Sequence, residues 1–132
     1  MKKLIVILTI LFPVVSFSQD SYGQLPKEEI YEFVDTEPEF PGGEQNMYQY
    51  IINNIKYPET AKENNIQGRV YVKFVVTKDG NITDVEIARS VESSIDAEAI
   101  RVIKSMPKWK PGTQRGKPVN VRFTLPIKFS LQ

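Results

Sequence analysis

The 132-residue chain contains no cysteine and no histidine. The first absence excludes disulfides, thiolate nucleophiles and Cys-ligated zinc. The second excludes Ser-His-Asp and Cys-His triads and His-ligated metal sites. An enzyme built on this chain would have to work with carboxylates, lysine and tyrosine alone, which weighs against catalysis. Charge of one sign is missing too: 17 Lys+Arg stand against 16 Asp+Glu, so no basic field points to nucleic acid. The hydrophobic start is short for a bilayer span. A span needs about 20 apolar residues, whereas the amino-terminal run Leu4–Val15 is shorter and contains Thr9 and Pro13.

That run reads instead as the core of a secretory signal. Lys2 and Lys3 precede it and Ser16-Phe17-Ser18 follows as a small-x-small cleavage site. Residues 1–18 are therefore expected to be removed, leaving a nearly neutral mature chain. The competing reading is an uncleaved inner-membrane anchor. Residues 19–37 are acidic and weakly periodic, and composition gives a linker or a flexible arm. The folded domain is expected over 38–132.

PEFPGG (38–43) is a turn cluster, with prolines fixing φ and glycines permitting positive φ. Gly42-Gly43 lacks the following lysine and hydroxyl of a phosphate loop, so it reads as a helix lead-in. Met47, Tyr48, Ile51, Ile52 and Ile55 then form an apolar stripe at helical spacing. Tyr57-Pro58 stops this helix, because the residue before proline avoids the α region. A second, short helix is expected over 59–65.

Gly68 opens RVYVKFVVTKDGNITDVEIAR, which reads as a hairpin turning on Asp79-Gly80. A two-residue type I′ turn needs positive φ at both central residues and would pair Lys78 with Asn81. Counting outward sets Phe74 opposite Val85, Val72 opposite Ile87, and Lys73 opposite Glu86. Asn81-Ile82-Thr83 matches a glycosylation sequon, which a tight hairpin makes a chance match. SVESSIDAEAIRVIKSM follows with a capping-box arrangement, Ser93-x-x-Asp96, and a stripe of Ala99, Ile100, Ile103 and Met106 closed by Pro107. The chain ends in an alternating strand, KPVNVRFTLPIKF, whose Pro126 cannot donate to a ladder and so marks an edge.

These elements predict an α+β fold: a two-layer sandwich of two helices on a three-stranded antiparallel sheet, α-β-β-α-β, in strand order 2-1-3.

PEFPGG, YPETAKENNIQGRVYVKFVVTKDGNITDV, IDAEAIRVIKSMPKWKPG and GKPVNVRFTLPIKF together resemble the TonB C-terminal domain family, in the form common in Bacteroidetes. The resemblance covers residues 38–132. It implies a periplasmic energy-transducer module that binds the TonB box, a short extended peptide of outer-membrane TonB-dependent receptors, in support of nutrient transport. The box adds as a strand to the edge formed by the last strand. That assigns partner-peptide contacts to Val119, Asn120, Val121, Arg122, Phe123, Thr124 and Leu125, and to Asn54, Ile55 and Lys56. Arg115 and Lys117 are rim candidates that could steer an acidic segment or simply be solvated. Tyr57, Pro58, Gly68, Asp79, Gly80, Trp109 and Pro126 read as structural. No cofactor or metal is implied. A full TonB also contacts ExbB–ExbD through a membrane anchor and spans the periplasm with a long proline-rich linker. This sequence displays no such linker and its hydrophobic start looks cleavable, so ExbB–ExbD is an expected partner only if the amino terminus is retained as an anchor. Two other readings compete: a self-associating or regulatory interaction protein that uses the same edge to form a homodimer, and, far behind, an enzyme.

Overall fold

The computed structural model describes residues 28–131, so the expected signal and the first part of the expected linker lie outside the described residues. The elements are β1 (Ile30–Tyr31), α1 (Glu44–Asn54), α2 (Glu59–Glu63), β2 (Gly68–Val76), β3 (Ile82–Arg89), α3 (Ser93–Lys104), β4 (Gly112–Gln114) and β5 (Lys117–Phe129).

β2, β3 and β5 stand in the predicted order: β2 lies between its hairpin partner and β5, antiparallel to both. The three-stranded antiparallel expectation is nevertheless corrected, because the sheet has five strands and is mixed. β1 pairs with β5 in parallel, Ile30 opposite Asn120 and Tyr31 opposite Val121, and β4 forms a hairpin with the start of β5. Both additions come from short segments of two and three residues, too brief to show a period of two. Two further bridges, Thr36 with Thr113 and Glu39 with Lys110, fasten the same amino-terminal stretch.

The hairpin holds its predicted register only in the middle. Val72 faces Ile87 and Lys73 faces Glu86, with a 3.9 Å ion pair between the latter two. Near the turn the pairing is Val76 with Ile82 and Val75 with Thr83, one residue out of step. The turn is not type I′: Gly80 has φ of 87°, but Asp79 is not among the positive-φ residues. Thr77 accepts from Gly80 N–H at 2.8 Å, closing a tight turn over Lys78-Asp79, and Gly80 adds a third loop residue. Tertiary contacts favour this longer loop. Asn120 Oδ1 takes the Lys78 N–H at 2.8 Å, and the Gly80 carbonyl takes the Trp109 N–H at 2.9 Å. A bulge at Asp84, with φ of 53°, restores the register and displaces the expected Phe74–Val85 pair.

The helices cover one face of the sheet. Val70, Val72, Phe74 and Val76 of β2 meet Val121, Leu125, Ile127 and Phe129 of β5, with Met47 and Ile51 of α1 and Ile95, Ala99, Val102 and Ile103 of α3 above them. Each large side chain buried here contributes about 1.5–3 kcal/mol before entropy is subtracted. Three details of the helix expectations change. α3 is capped by Glu92, whose carboxylate accepts from Ile95 N–H, while Asp96 reaches back to Val91 N–H and the Ser90 hydroxyl. Its stripe is centred on Ile95 and Val102 with Ala99 and Ile103, leaving Ile100 and Met106 half-buried. In α1 only Met47 and Ile51 are buried; Tyr48 and Ile52 are 41% and 66% exposed.

Candidate functional site

β5 is the longest strand, at 13 residues, and its two edges differ. Toward β2 it pairs without interruption from Val121 to Phe129, Pro126 opposite Tyr71 included. A proline tolerated inside an unbroken ladder has its missing N–H on the other side. Backbone groups alternate between edges along a strand, so Arg122, Thr124 and Lys128 share the orientation of Pro126 and direct N–H and C=O groups to the outer edge. β1 occupies that edge at Asn120 and Val121; among the described residues no strand pairs with it beyond them.

Beside the unpaired part runs an apolar groove of about 300 Å³, walled by Phe40, Met47, Tyr48 and Trp109 on the helix side and by Phe123–Pro126 of β5. The charged residues on its wall are Glu39 and Glu44. Past Tyr48 and Pro126 it adjoins a second depression of about 340 Å³ containing Ile52 and Ile127 together with the cations Arg69 and Lys128. Exposed Tyr48 and Ile52 thus stand over the edge a strand would approach.

Trp109 anchors the wall. It is 4% exposed, and its ring lies 5.3–5.9 Å from the rings of Phe123, Phe74 and Phe40, in edge-on arrangements. Its indole N–H is buried with no acceptor among the described residues. The structural role expected for Trp109 and Gly80 is thus one contact: a Cβ on Gly80 would fall 2.2 Å from the Trp109 carbonyl oxygen.

The predicted peptide contacts do not form one surface. Val119 pairs with Gly112, Asn120 and Val121 with β1, and Arg122 Nε donates to Glu32 at 3.0 Å. Phe123, Thr124 and Leu125 line the groove. Asn54–Lys56 sit elsewhere, tied to α3: Arg101 donates to the Asn54 carbonyl at 2.7 Å and Lys56 N–H donates to Glu98 at 2.7 Å. Arg101, then the Lys56 N–H, holds the Glu98 carboxyl below the ordinary glutamate range against the opposing effect of burial. Ile55 is half-buried against the core. Arg115 forms the β4–β5 turn with φ of 53°, its N–H donating to Asp35, and Lys117 pairs with Gln114. Tyr57 donates to the Ile66 carbonyl and packs its ring on Phe129, while Pro58 precedes α2 and Gly68 opens β2 beside Val91.

Sequence reasoning missed two features. Tyr48 and Ile52 were absorbed into a core stripe, although residues at i, i+1, i+4 and i+5 cover more of a helix than one sheet contact can bury. The acidic, weakly periodic stretch containing Glu28–Glu32 reads by composition as a linker or flexible arm. Glu28, Ile30 and Glu32 alternate there, over too few residues to establish a period of two. Glu28 bonds Lys78 at 2.8 Å and Asn120 at 3.0 Å. Lys78 first, then Asn120, pulls the Glu28 carboxyl below its ordinary range, and Glu28 in turn raises Lys78. Among the described residues no group of three or more acidic side chains is placed to hold a metal, and no helix is long and apolar enough to cross a membrane.

A profile of the Gram-negative bacterial TonB protein C-terminal family matches residues 53–131. The chain belongs to the TonB C-terminal domain family. Protein TonB of Pseudomonas aeruginosa is 35% identical over 78 residues, 58% of this chain and 22% of that protein. Protein TonB of Helicobacter pylori strain 26695 is 31% identical over 83 residues, 62% of this chain and 28% of that one. This chain therefore spans only about a quarter of the curated relatives it matches. Among solved structures, the H. pylori TonB C-terminal domain superposes with a TM-score of 0.53 at 26% identity, covering 70% of this chain and 87% of that domain. The P. aeruginosa domain, at 24% identity and a TM-score of 0.52, covers 81% and 97% and shares the fold. The chain thus shares with these TonB C-terminal domains a fold of helices packed on a mixed sheet.

Proposed function

We propose that this TonB-family domain is a periplasmic, non-enzymatic binding module that recognises TonB-box peptides of outer-membrane receptors, in support of energy-coupled nutrient transport. The peptide adds as a strand to the outer edge of β5. The observation that carries the reading is the edge from Arg122 to Lys128, unpaired among the described residues, which runs beside an apolar groove. Strand addition draws affinity from main-chain hydrogen bonds and specificity from pockets for alternate side chains, and both are available here. Phe123, Thr124 and Leu125 belong to this contact. Asn54, Ile55 and Lys56, bound to α3, serve instead to fix α1 relative to α3. In a chain retaining its amino-terminal segment as an anchor, the same module would couple to ExbB–ExbD; as a cleaved periplasmic protein it would bind or regulate receptors alone.

The test is titration of the 15N-labelled protein with a synthetic receptor TonB-box peptide. The amide signals of Arg122, Thr124 and Lys128 are expected to shift, as is the indole signal of Trp109, the single tryptophan. Unmoved signals at saturating peptide would overturn the reading. The open edge with exposed Tyr48 and Ile52 also suits a second copy of the chain. Sedimentation over a wide concentration range separates the two: a monomer throughout removes the homodimer.

A further inference from the structure

Three side chains of the amino-terminal arm point the same way along its alternation, and each meets a complementary group. Glu28 bonds Lys78 Nζ at 2.8 Å and Asn120 Nδ2 at 3.0 Å. Ile30 lines the same depression as Val75, which is buried on the sheet face away from the helices. Glu32 bonds Arg122 Nε at 3.0 Å. The backbone between them pairs in parallel with Asn120 and Val121.

We propose that Glu28–Glu32 is a resident strand filling a second strand-accepting subsite on β5. On this view the subsite takes an extended, parallel peptide of the pattern acid-x-apolar-x-acid. An incoming peptide reaches Asn120–Arg122 only by displacing the arm. The inference rests on the strand-addition reading above and adds the chemistry and gating of one part of that edge. Charge complementarity supports it: the arm brings two carboxylates to two cations, Lys78 and Arg122. So does continuity, since the subsite runs directly into the open edge beginning at Arg122. The arm is also the strand easiest to remove. It holds two pairs, against nine between β2 and β5, and its ion pairs are exposed to solvent and salt.

The experiment compares the intact chain with Glu28→Lys/Glu32→Lys, which turns both attractions into repulsions. Tyr31→Pro, which breaks the short ladder by another route, is the second variant. Retained amide signals across β2 and β3 establish that each is folded. Two probes are titrated: a synthetic EEIYEFVDT peptide, the sequence of residues 28–36, and a receptor TonB-box peptide. The arm peptide should bind the released variants at Asn120–Arg122 and the intact chain at least roughly tenfold more weakly, because apparent affinity scales with the fraction of open sites. The receptor peptide should bind the released variants roughly three- to tenfold more tightly than the intact chain. Equal affinity of the receptor peptide for intact and released chains overturns the resident strand while strand addition stands. Binding of the arm peptide to the released variants, with no receptor-peptide binding anywhere, upholds the subsite and overturns the receptor reading. An arm peptide that binds no form of the chain overturns the subsite.

Discussion

Along one side of β5, nine consecutive residues pair with β2; along the other, Asn120 and Val121 pair with β1 and the strand then runs open. The first side is closed by the core: Phe74, Phe123 and Trp109 interlock on the helix face, and the register continues through Pro126 unbroken. The second is left available, flanked by a groove and by apolar side chains that α1 does not bury. A single strand can thus be fully paired along one side and largely open, among the described residues, along the other. Its backbone alternates between the two sides, so rigidity on one costs nothing in donors on the other.

The contrast predicts that damage to the closed side costs stability, while damage to the open side costs binding. Trp109→Ala should have the largest effect, lowering unfolding free energy by about 3–5 kcal/mol in urea titrations. A loss under 1 kcal/mol would mean the groove wall is not part of the core. Gly80→Ala comes next, at about 1–3 kcal/mol, because it forces alanine to positive φ and into the Trp109 carbonyl. Thr124→Pro removes an outer-edge donor and should weaken a TonB-box peptide by more than roughly tenfold, about 1.4 kcal/mol, in calorimetric titration. If it unfolds the sheet instead, Thr124 serves the β2 ladder and the assignment of edges is reversed.

Tyr48→Ala should weaken the same peptide by a smaller factor, roughly threefold, with stability unchanged within about 0.5 kcal/mol. A core-like loss of stability would return Tyr48 to the buried stripe. The smallest effect belongs to Glu98, remote from both edges. Its folded-state pKa is depressed, chiefly by Arg101. The stability it adds is therefore present above the unfolded-state pKa and lost as pH falls through the lower folded value. The stability difference from Glu98→Gln should be constant near neutrality and shrink below the ordinary glutamate range, with peptide affinity at neutral pH unaffected.

Much of this fold was legible in the residues because β2, β3 and β5 are long enough to show a period of two, and α1 and α3 begin and end at marked positions. Val72–Ile87 and Lys73–Glu86 pair as counted from the sequence. The turn beside them was misread because its choice depends on Asn120 and Trp109, 42 and 29 positions away from the Lys78 and Gly80 they hold. The family was likewise readable, from the series of motifs, and Pro126 marked a strand whose proline faces away from the β2 ladder. The state of that strand's edge was not: two-residue β1 carries too little pattern to announce itself, and composition made its segment a linker.

The sequence by itself determined the order of the three long strands, the helix layer, the absence of thiol and imidazole chemistry and the strand that ends at an edge. These follow from local periodicity, composition and proline geometry, which need no distant partner. Only the tertiary structure decided which half of the edge is free, that α1 turns Tyr48 and Ile52 outward, and that an acidic arm lies along Asn120–Arg122. Those outcomes depend on which segments compete for the same backbone groups and the same apolar surface, and that competition exists only once the chain has folded.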